Sequence, residues 1–272
     1  VEVRRACHAG GMADSTVLVT GAARGIGAAV CRRLASEGVA IVAIDRCSDN
    51  AALDYPMGSR RQLDAVVQEC EELGAASASA VEADVADRRA LELALGAFGA
   101  FDAVVCAAGV LGGGDAVWAT PPAVWDALVG SNYSGVLNTA AVTLPAMLEA
   151  ATGAGRFIAV ASAAGSKGLP SMGAYSATKH AVVGLIRSMA ADLSDSGITA
   201  NAVAPGSTDT DKLGASAAVY GLASASEFAA HHPMGRLLQP EEVAEAIAWL
   251  CSPGSSGVTG SVLPVDAGMT AT

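Results

Sequence analysis

Short apolar runs alternate with longer stretches of helical spacing from Thr16 almost to the end of the chain. Thr16–Thr20 (TVLVT) is a β-branched run stopped by Gly21, and Ala28–Glu37 then sets Val30 and Leu34 on one helical face. Val39–Ile44 is a second buried-strand run and ends at Asp45. Gln62–Leu73 is amphipathic, with Leu63, Val66, Val67, Cys70 and Leu73 at three- and four-residue steps. The same reading predicts strands at Ser77–Val81, Asp102–Cys106, Arg156–Ser162, Ile198–Ala204 and Ser261–Val265. It predicts helices over Asp87–Phe98, Tyr175–Ser194 and Pro240–Cys251, and one long helix within Pro121–Glu149 entered through Pro121-Pro122. The segment from Pro205 to about Gly235 reads as loose. Seven strands with helices between nearly all of them predict a single α/β domain. It is a Rossmann-type, doubly wound fold on a seven-stranded parallel sheet, because right-handed crossovers put helices on both faces.

Composition agrees with one core. The 272 residues are 52% hydrophobic and 16% charged, with 31 glycines and 4% aromatics, which suits a parallel sheet closely covered by helices. A net charge of −11 argues against binding a nucleic-acid backbone. The six cysteines (7, 31, 47, 70, 106 and 251) form no CxxC pair, so free thiols in a reducing, cytoplasmic setting are expected. His8, His180, His231 and His232 have no metal-binding spacing, and no metal site is expected. No apolar stretch reaches the roughly 20 residues that cross a bilayer. Val1–Gly11 lacks the apolar core of a signal peptide, and Met12 reads like a natural start. Residues 1–13 are therefore expected to form a disordered leader ahead of one domain over 14–272.

Candidate chemistry begins at Thr20-Gly21-Ala22-Ala23-Arg24-Gly25-Ile26-Gly27, between the first strand and the first helix. Glycines there let the backbone approach a pyrophosphate, and the free N–H groups of the helix start attract its charge. In so glycine-rich a chain the spacing alone is weak; its place after a strand and before a helix gives it meaning. Asp45 can accept hydrogen bonds from the ribose hydroxyls of NAD and repel the 2′-phosphate of NADP. Arg24 and Arg46 argue the other way, since either could neutralise that phosphate. Asp45 at the strand terminus is expected to dominate.

Tyr175 and Lys179 lie four residues apart at the start of a helix and share one face. With four tyrosines in the chain and few lysines, the pairing is hard to attribute to chance. A phenol titrates near ~10, too high for a base at neutral pH, and a nearby ammonium lowers that value. Ser162 ends the fifth strand thirteen positions before Tyr175, where ligands meet an open α/β sheet. Spacing does not separate a substrate-holding Ser162 from one more serine in Ala-Ser tracts. Asn132 reads equally as a polar interruption of its helix.

With these residues in place, the chain resembles the short-chain dehydrogenase/reductase family from Thr16 to Gly268. The motifs are the TGxxxGIG loop, Asp84-Val85, Asn132 with Gly135, and the Ser162, Tyr175 and Lys179 set. Pro205-Gly206 with Thr208 and Thr210, and Val265-Asp266-Ala267-Gly268, complete the pattern. The resemblance implies a catalytic tetrad of Asn132, Ser162, Tyr175 and Lys179, with Asn132 holding a water in a relay behind Lys179. It implies cofactor contacts at Gly21, Arg24, Gly25, Ile26, Gly27 and Asp45, then Asp84 and Val85 at the adenine. It adds Ala107, Gly109, Tyr175, Lys179 and Pro205, and Thr208 and Thr210 at the nicotinamide end. The family usually carries asparagine where this chain has Cys106, which questions cofactor geometry more than chemistry.

The long connection Arg46–Arg61, with its Tyr55-Pro56 pair, and the Ala229–Arg236 stretch are similar to the mycofactocin-coupled, carveol-dehydrogenase-like subfamily. That likeness implies tightly held NAD, re-oxidised by a mycofactocin-type redox carrier, with the insertion folded over the adenosine half. It also implies a homotetramer with Pro121–Glu149 and Tyr175–Ser194 as interface helices. Leu111, Trp118, Leu169, Met172 and an Asp211–His232 lid are expected to wall a pocket for a small lipophilic alcohol or ketone. Two rivals are an NADP-dependent 3-oxoacyl-carrier-protein reductase and a non-catalytic NAD-binding sensor or scaffold.

Overall fold

The computed structural model describes residues 12–271. Seven strands, β1 (Thr16–Thr20), β2 (Ala40–Asp45), β3 (Ala78–Glu82), β4 (Ala103–Cys106), β5 (Arg156–Val160), β6 (Thr199–Pro205) and β7 (Val262–Val265), form one parallel sheet. Their order is β3-β2-β1-β4-β5-β6-β7, the doubly wound arrangement expected. The chain leaves β1 toward β2 and β3, then crosses back to place β4 on β1's other edge: Val17 faces Ile41 on one side and Ala103 on the other. Such a reversal opens a crevice above the carboxyl ends of the strands.

The described residues form eight helices, α1 (Gly25–Ala35), α2 (Arg60–Glu72), α3 (Arg88–Leu95), α4 (Pro122–Leu128), α5 (Gly135–Ala150), α6 (Gly173–Asp192), α7 (Asp211–Val219) and α8 (Pro240–Cys251), of which all but α4 and α7 pack on the sheet. Strand side chains alternate between two cores. Val17, Val19 and Ile41 pack under α1, α2 and α8 with Leu34, Leu63 and Ile247. Leu18, Val42 and the fully buried Phe157 pack under α3, α5 and α6 with Leu91, Val136 and Ile186. Ser59 and Gln62 close a capping box on α2, and Pro240 opens α8.

Three expectations change. The long helix within Pro121–Glu149 is two helices, α4 and α5, joined by a π-helical turn at Val129–Ser134. Hydrophobic spacing does not register one added residue per turn. The loose segment after Pro205 contains α7 and a 3-10 turn at Ala225–His231. Leu213, Ala217 and Phe228 give these a small core of their own, which the weak pattern of alanines and serines conceals. Met12–Asp14 forms a 3-10 turn with Met12 buried, so residues 12 and 13 belong to the domain. The leader expected over 1–11, with Cys7 and His8, lies outside the described residues. The other five cysteines are free, and no helix among the described residues is long and apolar enough to cross a membrane.

Candidate active site

A cleft of about 750 Å³ lies over the carboxyl ends of the strands. Its floor begins at the glycine loop. Gly21 has φ +68°, and a Cβ there would sit 2.5 Å from the Ala108 Cα, so only glycine lets the end of β1 approach the end of β4. No side chain caps the start of α1 at Arg24, which leaves its first N–H groups turned to the cleft. Gly25 and Ile26 also line this wall, while a Cβ on Gly27 would fall 2.1 Å from the Gly21 carbonyl oxygen. Trough, free amides and charge fit a dinucleotide diphosphate.

Asp45 stands where β2 ends, its carboxylate accepting from the backbone N–H groups of Ala23 (3.1 Å) and Cys47 (3.3 Å). The two arginines that argued for a 2′-phosphate are drawn elsewhere. Arg46 lies 3.7 Å from Asp84, and Arg24 reaches Asp211 at 3.4 Å and donates to the Pro56 carbonyl at 2.7 Å. Asp84 and Val85 line the same end of the cleft. Asn138 holds the Val85 carbonyl at 2.9 Å. The Arg46–Arg61 connection lies against this end, with Met57 and Gly58 in its lining. Tyr55 pins the connection by accepting the Leu111 N–H at 2.7 Å, and burial pushes its phenol up to about 12.

At the other end, β5 delivers Ser162 and the first turn of α6 delivers Tyr175, with Lys179 one turn on. The Ser162 oxygen accepts from the Ala164 N–H at 3.1 Å, which fixes the loop in extended backbone. Burial raises the Tyr175 pKa, and the Ser162 hydroxyl opposes the rise. Lys179 is 5% exposed, donates to the Val160 carbonyl at 2.8 Å, and lies 5.8 Å from the Tyr175 ring centre. Burial, then repulsion by Lys212, lowers its pKa to about 7. The ammonium expected to acidify the phenol is thus itself destabilised, and desolvation governs both groups.

Asn132 sits on the inner side of the π-turn and is fully buried. Its amide accepts from the Val110 N–H (2.7 Å), donates to the Val110 carbonyl (2.9 Å), and donates to Thr178 (3.1 Å). The side chain is therefore a brace between the β4 loop and the Tyr175 helix. Gly109 fits beneath it, since a Cβ there would lie 2.9 Å from the Asn132 Oδ1. Ala107 and Gly109 line the cleft, whereas Cys106 is buried beneath, its thiol beside Thr139 and pushed up to about 12 by burial. Pro205, Thr208 and Thr210 line the opposite wall. Asp266 instead ties the chain's last turn through the N–H groups of Gly268 (3.0 Å) and Thr270 (2.9 Å).

Leu111, Leu169 and Met172 line the cleft, as do lid residues Leu213, Tyr220, Phe228 and His231. Trp118 does not: it is 88% exposed on a 3-10 turn, Val117–Ala119, that buries none of its residues. His232 is buried and structural, accepting the Ser207 N–H at 3.0 Å. No group of three or more metal-binding side chains occurs among the described residues. Sequence reasoning missed Lys212, which crosses the cleft to the Gly109 carbonyl at 2.7 Å. Lysine scarcity was the available signal, since all three lysines of the chain line this cleft.

Comparison with known proteins agrees with this geometry. Residues 21–270 match the family model described as enoyl-(acyl carrier protein) reductase. The chain is 37% identical to an uncharacterized oxidoreductase of Mycobacterium tuberculosis over 263 residues, covering 92% of this chain and 94% of that one. It is 31% identical to (-)-trans-carveol dehydrogenase of Rhodococcus erythropolis, covering 93% and 96%. Among solved structures, carveol dehydrogenase of Mycobacterium avium in complex with NAD superposes with a TM-score of 0.90 at 29% identity, covering 97% of this chain and all of that one.

Proposed function

The chain belongs to the short-chain dehydrogenase/reductase family, and from that premise we propose that it is an NAD-dependent enzyme interconverting a secondary alcohol and a ketone. The observation that carries this reading is one cleft with Ser162, Tyr175 and Lys179 at one end and Asp45 beyond a glycine floor at the other. The Gly21–Gly27 loop and the start of α1 would hold the diphosphate, Asp45 the adenosine ribose, and Asp84 and Val85 the adenine. Tyr175 and Lys179 would hold the nicotinamide ribose, and Thr208 and Thr210 its carboxamide. Bound NAD accepts or returns the hydride.

The protein's own part is proton handling. Ser162 and Tyr175 hold the alcohol oxygen, and Tyr175 as phenolate takes its proton; in reduction, neutral Tyr175 returns it. Because burial opposes phenolate, Lys179 must be charged beside it in the loaded site, and a bound anion favours that state. The apolar wall of Leu111, Leu169 and Met172 favours a lipophilic substrate.

Asp45, with Arg24 and Arg46 already engaged, disfavours the NADP-dependent acyl-carrier reading. Tyr55, the Arg24–Pro56 bond and Gly58, where a Cβ would lie 3.1 Å from the Asp45 carboxylate, support a connection that covers the adenosine half and slows NAD exchange. That arrangement suits re-oxidation in place by a mycofactocin-type carrier. Exposed Trp125, Leu137 and Leu148 on α4 and α5 support a homotetramer joined through these helices. The test is an alcohol panel assayed with NAD, NADP and an artificial electron acceptor, beside Tyr175→Phe. Turnover of the variant should fall by about 10²- to 10⁴-fold while NAD binding persists. Unchanged turnover would refute the mechanism, and absence of nucleotide in protein purified without it would refute slow exchange.

A further inference from the structure

The chain has three lysines against thirteen arginines, and all three lysines gather in the one cleft. Each ammonium rests on a backbone carbonyl: Lys167 on Met269, Lys179 on Val160 and Lys212 on Gly109. No carboxylate among the described residues comes within 4.0 Å of any of them. Three ammonium groups without a carboxylate, Lys179 buried and Lys167 and Lys212 half-buried, are costly in the cleft of a protein of net charge −11 unless an anion completes them.

Lys179 stands beside the Tyr175 ring and Lys167 against the chain's last turn, but Lys212 has neither setting. It leaves the first turn of α7, whose approach lies against the glycine loop: Thr210 is the nearest neighbour of Gly25, and Asp211 pairs with Arg24. From there its ammonium crosses to the opposite wall, where Gly109 lies beside Lys179. It therefore spans the trough between the glycine loop and the Tyr175–Lys179 end. Burial, then Arg24, lowers its pKa to about 8, with Asp45 opposing. A lone carbonyl dipole leaves such a charge uncompensated, whereas a phosphate oxygen brings the opposite charge as well as an acceptor. Helix α7 also packs in a small cluster with Phe228, apart from the two main cores, so it can shift without disturbing the sheet.

We propose that Lys212 is a cofactor-binding residue that exchanges the Gly109 carbonyl for the dinucleotide's diphosphate and thereby fastens α7 over the cleft. The proposal rests on the reading of the cleft as a dinucleotide site. It makes Lys212 a diphosphate ligand reaching across the trough that the cofactor enters.

The experiment is equilibrium binding by the full-length wild type, Lys212→Met and Lys212→Arg to NADH, ADP-ribose, ADP and AMP. Hydrogen exchange is followed over residues 211–219 with and without NADH. Lys212→Met should weaken NADH, ADP-ribose and ADP by about ten- to a hundredfold, leave AMP within about threefold, and lose the NADH-induced protection of α7. Lys212→Arg should restore most of both effects. Wild-type affinity for ADP-ribose in Lys212→Met, or equal weakening of ADP and AMP, would overturn the proposal while leaving the dehydrogenase reading intact. A wild type that binds neither NADH nor ADP-ribose would overturn both.

Discussion

Replacing Lys179 by methionine should make the nucleotide-free protein more stable at pH 6 while removing its activity. Methionine matches the length of the stem, so the packing change is small. The ammonium is 5% exposed, and its pKa falls from 10.5 to about 7 on folding. Below pH 7 both folded and unfolded lysine are charged, and the native state bears a cost of about 5 kcal/mol at ~1.4 kcal/mol per tenfold change. The substitution removes that cost but leaves the Val160 carbonyl without its donor, which costs about 1–3 kcal/mol. A net gain of about 3 kcal/mol remains, or a rise of roughly 6–12 °C for a domain of this size. The sign of the pH dependence follows from the lowered pKa. As pH rises through 7 the folded lysine sheds its proton while the unfolded one keeps it to about 10.5, so the wild type gains stability. By pH 9 the cost is about 2 kcal/mol and the advantage of methionine is close to nil. Paired thermal melts of both proteins at pH 6 and pH 9 read this directly. A variant less stable at pH 6, or an advantage equal at both values, would refute the electrostatic account.

Other perturbations isolate other parts of the site. Asp45→Ala should raise the NADP-to-NAD ratio of kcat/KM by about a hundredfold, since the carboxylate that repels a 2′-phosphate is gone; steady-state kinetics with both cofactors measure it. Asn132→Ala strands both backbone groups of Val110 in the interior and should cost about 2–5 kcal/mol, seen as an earlier denaturant midpoint. Gly21→Ala should abolish NAD binding, because its Cβ meets backbone at 2.5 Å; Gly74→Ala, with φ +99° and nothing within 4 Å, carries only the conformational cost. Comparing their melts separates crowding from strain.

What was legible in the sequence follows from how each feature is encoded. The five inner strands are buried on both faces and read as apolar runs, the half-buried edge strands β3 and β7 were visible as short runs between helical stretches, and Pro240 marked the start of α8 to the residue. Tyr175 and Lys179 were visible because their spacing is local to one helix. Features that depend on contact between distant segments were not. The π-turn that carries Asn132 inward leaves the apolar spacing of α4 and α5 nearly unchanged, so two helices read as one. Trp118 read as a pocket wall because it is large and apolar, yet nothing in its neighbours reveals which way a 3-10 turn points it. Asn132 was named through a resemblance, but only geometry shows its amide bound twice to Val110. Lys212 was hidden by its segment, whose alanines and serines carry too little pattern to announce α7.

The lysines connect these points. All three lysines lie in the cleft, whereas the arginines are spread among surface ion pairs such as Arg33–Glu245 and Arg236–Glu242, the adenosine end of the cleft at Arg24 and Arg46, and the interior at Arg156. Arginine holds its proton in almost any setting, whereas lysine yields it when buried. A cleft lined with lysine can therefore relax by deprotonation when empty and recharge when an anion arrives, at pKa values of about 7 and 8 for Lys179 and Lys212. An arginine in either place would remain charged without a partner, and the empty site would be less stable for it. The same property that makes Lys179 costly to fold around makes it responsive to the anion whose arrival the Tyr175 phenolate requires. On this argument the instability of the empty cleft and its catalytic competence when filled have one physical origin.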